Sequence, residues 1–260
     1  MNAMLSVDDI TLTINGTQIL ENVSFEVAPG ETLGLIGPNG AGKSSILNCV
    51  GGIYQPQSGS IRFRDRDVFR VRPHALSSWG MARTFQAVSL DADESVRDNV
   101  MLGADLGAMS RHTRVWFPRS RNASRRAADE AMALLGLTSL ADARAGGLPY
   151  GIQRSVELAR AVAMRPTLLC LDEPTSGMSP AEKRAIADLL TTLRQGGLTL
   201  LIIEHDVPFM TGLCQRLVAL NFGVVLAEGT PSEVLASQQV IESYLHPAGD
   251  LGLDGADADR

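Results

Sequence analysis

The run Gly37-Pro38-Asn39-Gly40-Ala41-Gly42-Lys43-Ser44, with Ser45 behind it, constrains this chain more than any other stretch. It fits G-x-x-x-x-G-K-[ST], a loop whose backbone N–H groups wrap phosphate oxygens. Before it, Thr32-Leu33-Gly34-Leu35-Ile36 is the short apolar run of a buried parallel strand. After it, Ser44 to Val50 can run as a helix until Gly51-Gly52 breaks it. A helix start behind a glycine loop aims free amides and a positive dipole end at an anion. The pattern predicts that Lys43 reaches the β- and γ-phosphates of a nucleotide and that the Ser44 hydroxyl ligates Mg²⁺.

Strand, loop and helix in that order imply an α/β core, and 260 residues suffice to bury one. No run approaches the ~18 apolar residues of a membrane span, and the first residues lack the basic and apolar regions of a signal peptide. Cys49, Cys170 and Cys214 are odd in number and sit in apolar surroundings, which suits reduced core thiols. A net charge of −6 argues against nucleic acid as the main partner.

The pattern changes twice along the chain. Leu5, Val7, Ile10, Leu12 and Ile14 lead to Asn15-Gly16, a hairpin signal, with Ile19, Val23, Phe25 and Val27 on the return. From about 87 to 158 the chain turns helical: Ala128, Ala131, Met132 and Leu135 fall on one face that Gly136 can end. Residues 111–126 hold six arginines and no acidic residue, which suits either anionic lipid headgroups or a solvated helix face. Then Thr167 to Asp172 is a buried strand, Ser179-Pro180-Ala181-Glu182 is a capping box, and Leu198 to Ile203 is a second apolar strand. A last β pair flanks Phe222-Gly223, and the composition of 247–260 predicts a disordered tail.

Two strand ends carry candidate chemistry. Asp172 and Glu173 stand where open α/β sheets place their ligands. Asp172 is suited to hold Mg²⁺ and Glu173 to orient and deprotonate a water. His205 ends the next apolar strand and is a candidate at the γ-phosphate, although a lone histidine there is more often structural. Leu148-Pro149-Tyr150-Gly151-Ile152 is a second glycine turn opening an amphipathic helix, on its own a weak anion signal.

The order of phosphate loop, Phe85-Gln86, Leu148-Pro149-Tyr150-Gly151, Leu171-Asp172-Glu173-Pro174 and Glu204-His205-Asp206 resembles the nucleotide-binding subunit of an ABC transporter over residues 5–246. The resemblance implies a P-loop NTPase (RecA-like) core over 1–86 and 160–246, with an antiparallel β part and an inserted helical signature subdomain at 87–159. It implies ATP hydrolysis with Mg²⁺, the metal held by Ser44, Gln86 and Asp172. Catalysis would fall to Glu173, His205 and Gln86. The signature turn, Pro149 to Ile152, would close over ATP held by a second ATPase subunit, and Ser176-Gly177-Met178-Ser179 would be the dimer loop. Separate membrane permease subunits, a solute-binding protein and a place on the cytoplasmic membrane face follow from the same likeness. Finer features at 54–59, 111–126, 148–151, 203–206 and 227–245 resemble the ATPases of branched-chain amino acid import. Urea or amide importers and lipopolysaccharide exporters are near neighbours, and a soluble ABC ATPase or a non-hydrolysing partner subunit are the other readings.

Three positions depart from the family pattern. Pro149 replaces the signature serine and Ser179 the aspartate of the dimer loop. Ile14 stands nearest to where an aromatic normally stacks on adenine, which weakens stacking by ~1–3 kcal/mol.

Overall fold

The computed structural model describes residues 3–84, 88–111 and 118–245. Gln86, the centre of 111–126 and the 247–260 tail lie outside the described residues.

The N-terminal strands β1 (Leu5–Ile14) and β2 (Thr17–Val27) pair antiparallel. The turn joining them has positive φ at both Asn15 (50°) and Gly16 (82°), the primed geometry that matches strand twist. With β4 (Ser58–Phe63) and β5 (Arg66–Asp67) they form a sheet ordered β2-β1-β4-β5.

The second sheet carries the site. It is ordered β10-β9-β3-β8-β7-β6, from β3 (Thr32–Ile36), β6 (Met81–Arg83), β7 (Leu168–Asp172), β8 (Thr199–Ile203), β9 (Arg216–Asn221) and β10 (Val224–Gly229). All neighbours are parallel except β9 with β10. Every residue of β3, β7 and β8 is buried, and apart from Thr32, Thr199 and Asp172 they are apolar, as strands covered on both faces require. Each buried Leu or Ile there contributes about 1.5–3 kcal/mol. Helix α1 (Lys43–Val50) covers the face shared with the antiparallel sheet. Helices α5 (Pro180–Gln195), α6 (Val207–Leu213) and α7 (Pro231–Ala236) cover the other.

A separate apolar cluster joins α2 (Val96–Arg111), α3 (Pro118–Leu134) and α4 (Tyr150–Ala163). Ala128, Ala131 and Met132 lie in it, with Val156, Ala159 and Ala163 facing them from α4. The division expected at 159/160 falls inside α4, whose other face, Leu158 and Ala161, belongs to the main core. Helices α2 and α4 meet at backbone distance. A Cβ added to Gly103 would stand 1.9 Å from the Arg160 carbonyl oxygen.

Candidate active site

Backbone geometry comes first at the phosphate loop. Gly37 has φ 148°, and a Cβ there would lie 2.1 Å from the Leu220 carbonyl oxygen. Gly42 caps α1 in the left-handed region (φ 100°), with Leu20 and Ile19 of β2 packed on it. Neither position accepts a side chain. The β9–β10 turn braces the loop further, for the Gly223 N–H donates to the Ala41 carbonyl at 3.1 Å. Helix α8 (Gln238–Leu245) brings Tyr244 to the same place. Burial raises the Tyr244 phenol above its ordinary range, and a hydrogen bond with the Gly37 backbone acts the other way.

Lys43 is buried, and its ammonium donates to the carbonyls of Gly37 (2.7 Å) and Pro38 (2.8 Å). Burial pulls its pKa below the ordinary range, opposed by the charges of Glu173 and Asp172. Asn39 and Gly40 form the exposed crest of the loop, whereas Ala41 is buried. The Ser44 hydroxyl donates to Asp172 Oδ1 at 3.4 Å, and Ser45 sits half-buried behind it.

Asp172 ends β7 nearly buried. Burial raises its carboxyl pKa, and Arg83 beside it is the main opposing influence. The Arg83 guanidinium stands 3.7 Å from Asp172 Oδ2 and donates to the Leu47 carbonyl at 2.7 Å. Glu173, next along the chain, takes the left-handed region (φ 48°) while its N–H donates to Ile203 O at 2.9 Å. Its Oε1 lies 2.8 Å from His205 Nε2, so residues read from two separate strand ends meet in one pair. Glu204, Thr175, Arg83 and Lys183 were not singled out from the sequence. The carboxylate at the end of β8 and the arginine just before Phe85-Gln86 were the available signals.

Pro149 caps α4 with extended backbone. Tyr150 is exposed, packs on Gly177 and carries the Arg154 guanidinium 5.4 Å from its ring centroid. Gly151 faces Glu182 and Met178, while Ile152 packs half-buried on the helical cluster. The turn at 149–152 and the loop at 176–179 are therefore neighbours. Ser176 and Gly177 are exposed and Met178 is buried. Ser179 caps α5 in a reciprocal box with Glu182, as its spacing predicts. Ile14 ends β1, half-buried against the core.

Beyond Arg83 lies a mostly apolar groove of about 630 Å³ between the core and the helical cluster. Ile53, Leu102 and Leu106 line it and are exposed; Glu157 and Arg160 of α4 supply charge.

Residues 20–176 match the family model described as ABC transporter. The chain belongs to the ABC transporter ATPase family. It is an ATP-hydrolysing subunit, and ATP-binding cassettes of this family bind ATP and ADP. Residues 224–245 match a second model, described as branched-chain amino acid ATP-binding cassette transporter. Among its relatives is the high-affinity branched-chain amino acid transport ATP-binding protein LivG of Escherichia coli K12. That protein is 35% identical over 253 residues, 94% of this chain and 98% of that protein. BraF of Pseudomonas aeruginosa is 34% identical with the same coverage. The lipopolysaccharide export ATP-binding protein LptB of E. coli K12 is 33% identical over 94% of this chain and 97% of that one. The ATP-binding cassette MJ1267 superposes with a TM-score of 0.83 at 28% identity, covering 94% and 99% of the two chains. A dimeric cassette, MJ0796, shares the fold with a TM-score of 0.78 at 24% identity. No helix among the described residues of this ABC ATPase is long and apolar enough to cross a membrane.

Proposed function

We propose that this ATPase powers import of branched-chain or related hydrophobic amino acids through separate permease subunits. The observation that carries the solute class is the match of residues 224–245 to the branched-chain cassette model. Identity to LivG and BraF supports it. LptB relatives at similar coverage keep lipopolysaccharide export as the second reading.

In the proposed cycle Lys43 and the loop amides bind the β- and γ-phosphates. The donor set Ser44 Oγ and Asp172 Oδ1, 3.4 Å apart and all oxygen, suits a hard divalent cation. Gln86 is assigned to it from the family pattern. Bound there, Mg²⁺ would neutralise phosphate charge. Glu173 accepts a proton from water, and His205 Nε2 holds that carboxylate through Oε1 at 2.8 Å. The turn Pro149–Ile152 and loop Ser176–Ser179 face a partner ATPase subunit, so each site borrows its lid. The apolar groove receives a permease segment, which keeps the chain on the cytoplasmic membrane face, and a solute-binding protein delivers substrate beyond it. Residues 87–159 are the lobe that carries the signature.

Two experiments test this. Glu173→Gln in the purified complex should cut turnover at least ~100-fold while ATP binding persists; near-normal turnover removes Glu173 from its role. Uptake of leucine, isoleucine, valine and urea should fail with Lys43→Ala. If none of the four depends on Lys43, the import assignment falls, and loss of lipopolysaccharide export in its place would establish the second reading.

A further inference from the structure

Glu204 is a buried carboxylate that the catalytic scheme leaves without a task. It directly follows the last residue of β8, one residue before His205. Its Oε1 accepts the Thr175 backbone N–H at 2.8 Å and the Thr175 hydroxyl as well. Its Oε2 accepts the His205 N–H at 3.0 Å. Thr175 is fully buried and stands two residues after Glu173. One side chain therefore grips the backbone on both flanks of the Glu173–His205 contact. Glu173 sits in a left-handed conformation that a non-glycine residue keeps only where its surroundings hold it.

We propose that Glu204 is a positioning residue that sets His205 against Glu173 for hydrolysis, with Thr175 as its second anchor. A neutral amide cannot substitute. Glutamine offers one acceptor oxygen and a two-donor NH₂, so in either orientation its NH₂ faces an N–H that needs an acceptor. The same carboxylate also ties the start of the 176–179 loop to the His205 turn, so a displacement of that loop is carried to the catalytic pair.

The inference rests on the roles proposed for Glu173 and His205, and the experiment separates the two. Turnover, ATP KM, fluorescent ADP affinity and melting temperature are measured on the full chain for wild type, Glu173→Gln, Glu204→Gln, Thr175→Val and the Glu204→Gln/Thr175→Val double variant. Misplacement by about 1 Å can cost ~100-fold, so Glu204→Gln should lose ~10–100-fold in kcat with KM and ADP affinity within about twofold. Thr175→Val should lose less, and adding it to Glu204→Gln should cost little more, because both act through one clamp. Unchanged kcat in Glu204→Gln, or parallel loss of kcat, KM and melting temperature, overturns the proposal. If Glu204→Gln does not fold, Thr175→Val alone decides by the same split. A fully active Glu173→Gln defeats the underlying role; an inactive Glu173→Gln beside a fully active Glu204→Gln defeats only this inference.

Discussion

Lys183 on α5 and Asp206, the residue that caps α6, form an ion pair at 2.6 Å next to His205. A hydrogen bond with Asp206 raises the Lys183 pKa, and the same bond lowers that of Asp206. Asp206 thus contributes stability above the ordinary carboxylate range and loses it as pH falls through its depressed value. Lys183 contributes below the ordinary lysine range and loses it as pH rises through its elevated value. The pair operates between pH ~4 and ~10.5. Both side chains are more than a quarter exposed, so solvent screening limits its worth to about 0–1 kcal/mol. Lys183→Met should lower stability by that amount in urea melts at pH 7, with the difference vanishing near pH 2. At this scale the sequence discloses residue types and their order. Lys43, Ser44, Asp172, Glu173 and His205 were legible because ordered motifs carry them. Glu204 and Arg83 were not, because their partners, Thr175 and Leu47, become neighbours only after the sheet forms.

The elements follow local rules closely, and the exceptions have a physical source. The Asn15-Gly16 hairpin, the Ser179 capping box and the largely apolar core strands could be read directly, since each rests on contacts within a few residues or on burial on both faces. A second capping box, Thr230 with Glu233, went unread although its pattern is the same. The close approach of α2 to α4 was not legible, because Gly103 in a helical stretch looks like a weak position until the partner backbone is known. That glycine makes a sharp test. Gly103→Ala improves helix propensity, yet its Cβ would meet the Arg160 carbonyl oxygen at 1.9 Å. Overpacking of this kind costs about 1–3 kcal/mol, so a lower melting temperature is expected in place of the gain that propensity alone implies.

At the scale of the molecule, the groove and Asp172 share Arg83, which lines the first and reaches the second. Leu102→Glu with Leu106→Glu should leave nucleotide affinity unchanged, because both side chains are about half exposed and line the groove on α2. Stability should move by only ~0.5 kcal/mol per site. Co-purification with permease subunits should be lost, and retained co-purification would remove the groove from that role. The phosphate loop shows how differently motif and assembly are spaced. Its glycines occur within six residues of one another, yet the carbonyl that excludes a side chain from Gly37 belongs to Leu220, and the amide that braces Ala41 belongs to Gly223. Strand β3 likewise waits for β8 and β9 to flank it. Those partners leave the ribosome more than 150 residues after the loop does. A nascent chain arrested before β9 therefore carries the whole nucleotide motif without the frame that shapes it, and the capacity to hold ATP arrives near the end of synthesis.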